Sequence, residues 1–297
     1  MEKIKGVIAL SRYKEVLANV AFITILGLFL AFVNSPLRQD WDMNGIILLL
    51  IVLLAANFLA TTFAFMINDV EDAEDDALDP KKSKRNPISA GRLTKIQGYA
   101  VAFVVAGLAL VLFLLVNVSS FLVGLSLVVL GFLYSWKKLR LKGLPFLDMT
   151  SHAYFLAGGI LLSSYLGFSV NLLPVIFPFL MIYMISLSGD LYNEIRDYEV
   201  DRKAKLKNTV AIIGLKQSVL LKNLLYVFAL VVFVALAVQY LSFLNPVAAI
   251  VGIAVILGMV AYTHFFSSRA ISDLDNWLLF SNIPLIGFLI LAISIFY

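Results

Sequence analysis

Apolar residues gather along this chain into runs of roughly 18–22, the length that carries a helix across a hydrocarbon core, separated by polar joints. About nine such runs can be read, centred on 16–33, 46–67, 98–116, 119–135, 147–165, 171–189, 219–240, 246–265 and 277–296. Some joints are tight, as in "NVSS" at 117–120 and "GFSVN" at 167–171, and suit helical hairpins; only those around 68–97 and 190–218 are long. No small-residue cleavage site follows the first run, which reads as a retained helix. The pattern predicts an all-α polytopic membrane protein, a bundle of about nine transmembrane helices forming one domain over 1–297.

Composition agrees, with 61% hydrophobic and 14% charged residues, where a soluble domain carries about a quarter charged. Charge adds a direction. Of the 23 Lys and Arg residues, all except Arg38 fall on the N-terminus and every second connection after it. The positive-inside rule then sets the N-terminus and both long connections in the cytoplasm and the C-terminus outside, a multi-pass topology for the cell membrane. This one-sided distribution accounts for the net charge of +4 and argues against a nucleic-acid partner. Cysteine is absent and the two histidines are His152 and His264, so disulfides and thiolate metal sites are excluded and a structural zinc lacks ligands.

Candidate chemistry sits where the second apolar run ends. Residues 68–76 read "NDVEDAEDD", and 193–201, four runs later on the same predicted side, read "NEIRDYEVD". Both follow the pattern Asn-acid-x-x-Asp-x-x-x-Asp, through Asn68, Asp69, Asp72, Asp76 and Asn193, Glu194, Asp197, Asp201. Each copy extends an apolar helix without Pro or Gly, and each leads into a basic loop, 77–97 and 202–218. The repetition is read as a diverged internal duplication of a four-helix unit with a ninth helix added. A single acidic run at a helix end is ordinarily a solvated face; two copies in register, with matching basic followers on one side, weigh against that.

Helical geometry gives the spacing a meaning. Positions i, i+4 and i+8 drift by only about 40° per step. Asn68, Asp72 and Asp76 are therefore expected on one face, Asn193, Asp197 and Asp201 on another, while Glu71 and Asp75 should point elsewhere as solvated acids. Two such faces, opposed across a bundle, suit a hard divalent cation such as magnesium, which fills its shell with substrate phosphate oxygens. Neighbouring basic residues, Lys81 and Arg85 after the first motif and Lys207 after the second, would complete a diphosphate cradle. Arg12 is a further diphosphate candidate or a topology anchor. Asp148 and His152, an i, i+4 pair, are candidates to bind an acceptor or accept its proton. His264 reads as interfacial. No P-loop sequence is present, and neither motif has the glycine of an EF-hand loop.

"NDVEDAEDD" resembles the N-D-x-x-D-x-x-x-D signature of the UbiA superfamily of intramembrane prenyltransferases, and "DYEVD" resembles its second motif. The likeness spans essentially the whole chain. It implies magnesium held by both motifs, with Asp72 and Asp197 central to catalysis, and an isoprenyl diphosphate donor bound through that metal. It also implies transfer of the prenyl group, by way of an allylic cation, to a lipophilic acceptor arriving from the membrane lipid, as in lipid or quinone biosynthesis. "LYSWKK" (133–138) is similar to the family's segment after the fourth helix and implies diphosphate contacts from Tyr134, Lys137 or Lys138. The loop "RNPISAGRL" (85–93) resembles the family's cap over the site. One departure is Glu194, where many members carry aspartate. Two other classes are the alternatives: a polytopic transporter, whose charges belong at the midplane, and a phosphatidyl-group transferase, whose glycine- and arginine-containing signature is missing here.

Overall fold

A computed structural model describes residues 2–35, 42–203, 207–240 and 250, with the side chain of Asp201 outside that set. The chain divides into two compact units, Met1–Leu230 and Val231–Tyr297. The predicted span 277–296 and, apart from residue 250, the span 246–265 lie outside the described residues, as do Arg38, Lys205, His264 and Arg269.

Every described element of the first unit is helical. Helices α1 (Glu2–Leu10), α2 (Tyr13–Asn34) and α3 (Met43–Glu71) are followed by the short α4 (Ala73–Asp76) and α5 (Pro80–Arg85). The hairpin of α6 (Lys95–Val116) and α7 (Val118–Ser135) comes next, then α8 (Leu147–Ala153), a π-helical turn Tyr154–Gly158 and α9 (Gly159–Tyr165). Helices α10 (Ile176–Lys203), α11 (Thr209–Ile213) and α12 (Leu215–Tyr240) complete the series. Six stretches among the described residues are long and apolar enough to cross a membrane. The predicted span 147–165 is also helical throughout, interrupted by its π turn, a device frequent at functional sites.

Local signals set these boundaries. Asn117 ends α6 and caps α7, accepting from Ser120 N at 2.8 Å while its amide donates to Leu166 O at 2.9 Å. That double duty is why one residue suffices as a hairpin joint. Thr94 and Gln97 form a reciprocal capping box at the start of α6, and Pro80 follows the cap Asp79 at the start of α5.

Helix α3 is the hub, packing against α2, α6 and α7. Its inward face carries Leu53, Ala56, Ala60, Phe63, Ala64, Ile67 and Val70, all buried. Lipid offers apolar side chains no preference for one another, so close backbone approach and polar ties hold such helices together. A Cβ at Gly131 would meet Ala64 Cβ at 2.8 Å, and one at Gly27 would meet Leu161 O at 2.7 Å. In the buried interior Asn57 donates to Thr24 Oγ1 at 3.1 Å and Ser164 Oγ at 2.9 Å and accepts from Ser163 Oγ at 2.7 Å. One side chain thus knots α2, α3 and α9.

Two local readings of the sequence change. The N-terminal residues form α1, beyond the expected first span. Leu10 is buried with Phe63, Met66, Ile67 and Leu93, and Arg12, in the left-handed region at φ 45°, separates α1 from α2. The first acidic motif also does not continue one regular helix: α3 is capped at Asp72 and resumes as α4. The i−4 bonding survives the break, with Asp72 N to Asn68 O at 2.9 Å and Asp76 N to Asp72 O at 2.7 Å, so the register persists with altered side-chain directions.

Candidate metal and diphosphate site

The two motifs sit at the C-terminal ends of α3 and α10, each just past a long apolar stretch. On the α3 side, Asn68 Oδ1 accepts from Ser135 Oγ at 3.1 Å and from Lys142 Nζ at 2.9 Å. The same ammonium lies 2.5 Å from Asp72 Oδ2, and Arg140 Nη2 lies 3.3 Å from Asp72 Oδ1 and 3.2 Å from Asp75 Oδ2. Arg140 and Lys142 are delivered by the turn after α7, where Arg140 takes φ 47° and leads into a 3₁₀ turn, Leu141–Gly143. Lys142 is largely buried. Burial draws its pKa below the ordinary lysine value, and the Asp72 carboxylate works in the opposite sense.

The other acids of the first motif have separate partners. Asp69 is buried in an ion pair with Arg12, whose guanidinium also lies over the Phe65 ring at 5.4 Å. Asp76 is buried and accepts from Asn86 Nδ2 at 3.0 Å; the same amide donates to Asp69 O at 2.8 Å, fastening the following loop onto the motif. Glu71 is not the solvated acid expected from the helical wheel: it is buried and accepts a hydrogen bond from Tyr99 Oη. Asp75 is half exposed and shares Arg140 with Asp72.

The second motif is more open. Asn193 is exposed, and Asp197, half exposed, pairs with the adjacent Arg196 at 2.9 and 3.2 Å. Glu194 accepts from Val210 N at 3.0 Å. Asp148 is buried and accepts from Thr209 N and Thr209 Oγ1, each at 2.6 Å. Asn208 accepts from Ala211 N at 3.1 Å. Three polar side chains therefore satisfy the leading N–H groups of α11, and the Asp148 carboxylate is committed to that task. His152, one turn further along α8, meets a different acid: its Nδ1 lies 3.5 Å from Asp190 Oδ1. Both Nδ1 and Asp190 Oδ2 are buried without hydrogen-bond partners. Tyr134, tilted, and Phe155, edge-on, flank the His152 ring with centroids 5.8 and 5.6 Å away.

Of the basic candidates, Lys137 is taken by Glu74 at 2.7 Å in an open ion pair that lowers the Glu74 pKa and raises that of Lys137. Lys138 lies over the Trp136 ring at 5.6 Å. Lys81, Arg85 and Lys207 are exposed. Sequence reasoning missed Arg140, Lys142, Ser135, Asn86 and Asp190. The one available signal was the basic run "KKLRLKG" directly after α7, of which only the first two lysines were selected.

Among the described residues no three carboxylate or imidazole groups gather around a single point. The donor set of the first motif nevertheless fits a hard divalent ion. Asn68 Oδ1 and Asp72 Oδ2, both oxygen donors, converge on one positive centre, with the Lys142 ammonium standing in for the cation.

Fold and site together define an integral membrane protein with a charged site at the end of an apolar helix bundle. The chain belongs to the UbiA prenyltransferase family, whose sequence pattern matches residues 20–243. It is 25% identical over 204 residues to digeranylgeranylglyceryl phosphate synthase of Pyrococcus horikoshii, covering 65% of this chain and 64% of that protein. It is 30% identical over 200 residues to the C(50) beta-cyclic carotenoids biosynthesis protein LbtBC of a Dietzia species, covering 63% of this chain and 45% of that one. The chain therefore spans less than two thirds of the length of these relatives. A UbiA homologue from Archaeoglobus fulgidus, solved with GPP and Mg2+, shares the fold with a TM-score of 0.74 over 98% of this chain and 100% of the other, at 19% identity.

Proposed function

We propose that this protein transfers a prenyl group from an isoprenyl diphosphate to a lipophilic acceptor within the membrane, with magnesium bound by the acidic motifs. The convergence of Asn68 and Asp72 oxygens on one positive centre beside Arg140 carries the proposal. The family relationship, and a fold neighbour bound to GPP and Mg2+, support the same reading.

Asn68 and Asp72 from the first motif, with Asn193, Asp197 and Asp201 from the second, are the residues that would hold the metal, and Asp76 would join them only by turning from Asn86. Bound there, magnesium supplies Lewis-acid neutralisation of charge on the leaving diphosphate. Arg140 adds a guanidinium suited to planar, charge-assisted contact with phosphate oxygens, and the exposed Lys81, Arg85, Lys138 and Lys207 enrich the approach in positive charge. The donor C–O bond breaks with its electron pair going to diphosphate, and the acceptor atom bonds to the freed carbon. The apolar bundle excludes water from the intervening cation. His152, backed by Asp190, takes the proton that the acceptor releases, while Asp148 holds α11 in place.

Purified protein incubated with geranylgeranyl diphosphate, magnesium and a polar-lipid extract should yield a lipid heavier by one geranylgeranyl unit, read by mass spectrometry. His152→Gln should still release diphosphate slowly from the donor and yield little of the heavier lipid. Donor turnover without any prenylated lipid, across archaeal and bacterial extracts, would count against the transferase reading.

Charge asymmetry supports a cytoplasmic site. Cysteines introduced singly as Ser83→Cys and Ser169→Cys, in a chain free of native cysteine, should react with an impermeant thiol reagent only from the inside and only from the outside, respectively. Labelling of Ser83→Cys in intact cells would overturn the orientation.

A further inference from the structure

We propose that Lys142 is a resident counter-ion of the Asn68–Asp72 oxygen pair, that a divalent cation displaces it, and that the freed ammonium turns to the donor diphosphate, making metal and donor bind interdependently. This rests on the reading of the first motif as a metal site.

The Lys142 ammonium already occupies the point where Asn68 Oδ1 and Asp72 Oδ2 meet, at 2.9 and 2.5 Å. A divalent ion drawing on the same two oxygens cannot share that point with an ammonium, on grounds of both contact distance and like charge. One must leave, and the surroundings favour departure of the lysine. Its neighbour Leu141 is buried and anchors the 3₁₀ turn, so the side chain can swing while the backbone stays. Gly143 adjoins open space, since a Cβ added there would meet no atom within 4 Å.

The oxygens themselves are held without Lys142. Ser135 Oγ donates to Asn68 Oδ1, and Arg140 steadies the other oxygen of Asp72. A lysine also suits exchange better than an arginine, being a compact charge on a flexible four-carbon stem, not a planar fork that grips a carboxylate at two points. Lys137 and Arg12 do not compete for this position, since they pair with Glu74 and Asp69.

Displacement removes a favourable ion pair, so bare metal binds weakly. A donor diphosphate restores the loss by receiving the ammonium, so each ligand strengthens the other.

Full-length protein in detergent, titrated with Mn2+ and followed by the electron paramagnetic resonance of the free ion, separates these ideas without an activity assay. The parent should bind Mn2+ alone weakly and much more tightly once geranyl diphosphate is added. Lys142→Met should bind Mn2+ alone more tightly than the parent, by a factor on the order of ten or more, with a smaller gain on adding geranyl diphosphate. Lys142→Gln, which keeps a hydrogen bond to Asp72 without the charge, should show the same direction and covers the case where the methionine variant misfolds. Affinity for Mn2+ alone unchanged or weaker in both variants, with binding still abolished by Asp72→Asn, would overturn the counter-ion role while leaving the metal site intact. Mn2+ binding indifferent to Asp72→Asn in every background would remove the metal site and this proposal with it.

Discussion

Asp72→Ala should lower diphosphate release from a prenyl donor by a factor on the order of 10² or more, the equivalent of several kcal/mol of lost transition-state stabilisation. Asp72 is the acid on which the cations converge, with Lys142 on one oxygen and Arg140 on the other. Removing it takes away a metal ligand and also leaves Lys142 without its counter-charge, while Arg140 keeps only the half-exposed Asp75. Asp75→Ala is the matched control. Asp75 is half exposed, touches the same Arg140 and sits three residues away, yet an exposed ion pair of that kind contributes little; its activity should stay within a few-fold of the parent. Glu71→Ala, an apparent control from the helical wheel, is unsuitable because Glu71 is buried against Tyr99. Equal losses at Asp72 and Asp75 would mean that the stretch acts as diffuse negative charge.

Arg12→Ala should destabilise the protein more than any other single change considered, by about 3–5 kcal/mol. Its partner Asp69 is almost completely buried, with 1% of its side chain exposed against 8% for Arg12, so truncating the arginine strands a carboxylate where water does not reach. Removing both charges is far less harmful, because the burden lies in the unpaired ion and not in the lost attraction. Arg12→Met with Asp69→Asn should therefore recover most of the stability lost in the single variant. Thermal unfolding in detergent, compared across both singles and the double, provides the measurement. A stable Arg12→Ala protein with weakened donor binding would instead restore Arg12 to the diphosphate-binding role suggested by its position in the sequence.

The parts of the molecule legible in the sequence were those governed by periodicity within one helix. Apolar run length located α2, α3, α6, α7 and α12 to within a few residues and found the start of α10, which then runs on through the second acidic motif to Lys203, because lipid demands about twenty residues of internally bonded backbone. The i, i+4 spacing brought Asn68 and Asp72 to one shared partner. Asp76, next in that spacing, is instead held by Asn86 after the chain bends at Asp72, a break the helical wheel does not contain. Contacts between helices were not legible. Lys142 reaches Asp72 across 70 positions, Tyr99 reaches Glu71 across 28, and His152 meets Asp190 from another helix. Periodicity tells which residues share a face and says nothing of what the face meets. The α1 helix was hidden for a related reason: its three charged residues, Glu2, Lys3 and Lys5, with Arg12 just beyond its end, count in the sequence only toward the one-sided charge, and Leu10 packing on Phe63 and Ile67 appears only in the fold.

The claim that the first motif holds a metal for a donor diphosphate is tested most directly by calorimetric titration of geranylgeranyl diphosphate into the purified protein, once with magnesium and once with chelator. Affinity should be at least about tenfold higher with magnesium, and Asp72→Ala should erase that difference. Equal affinity of the parent protein in magnesium and in chelator would contradict the account.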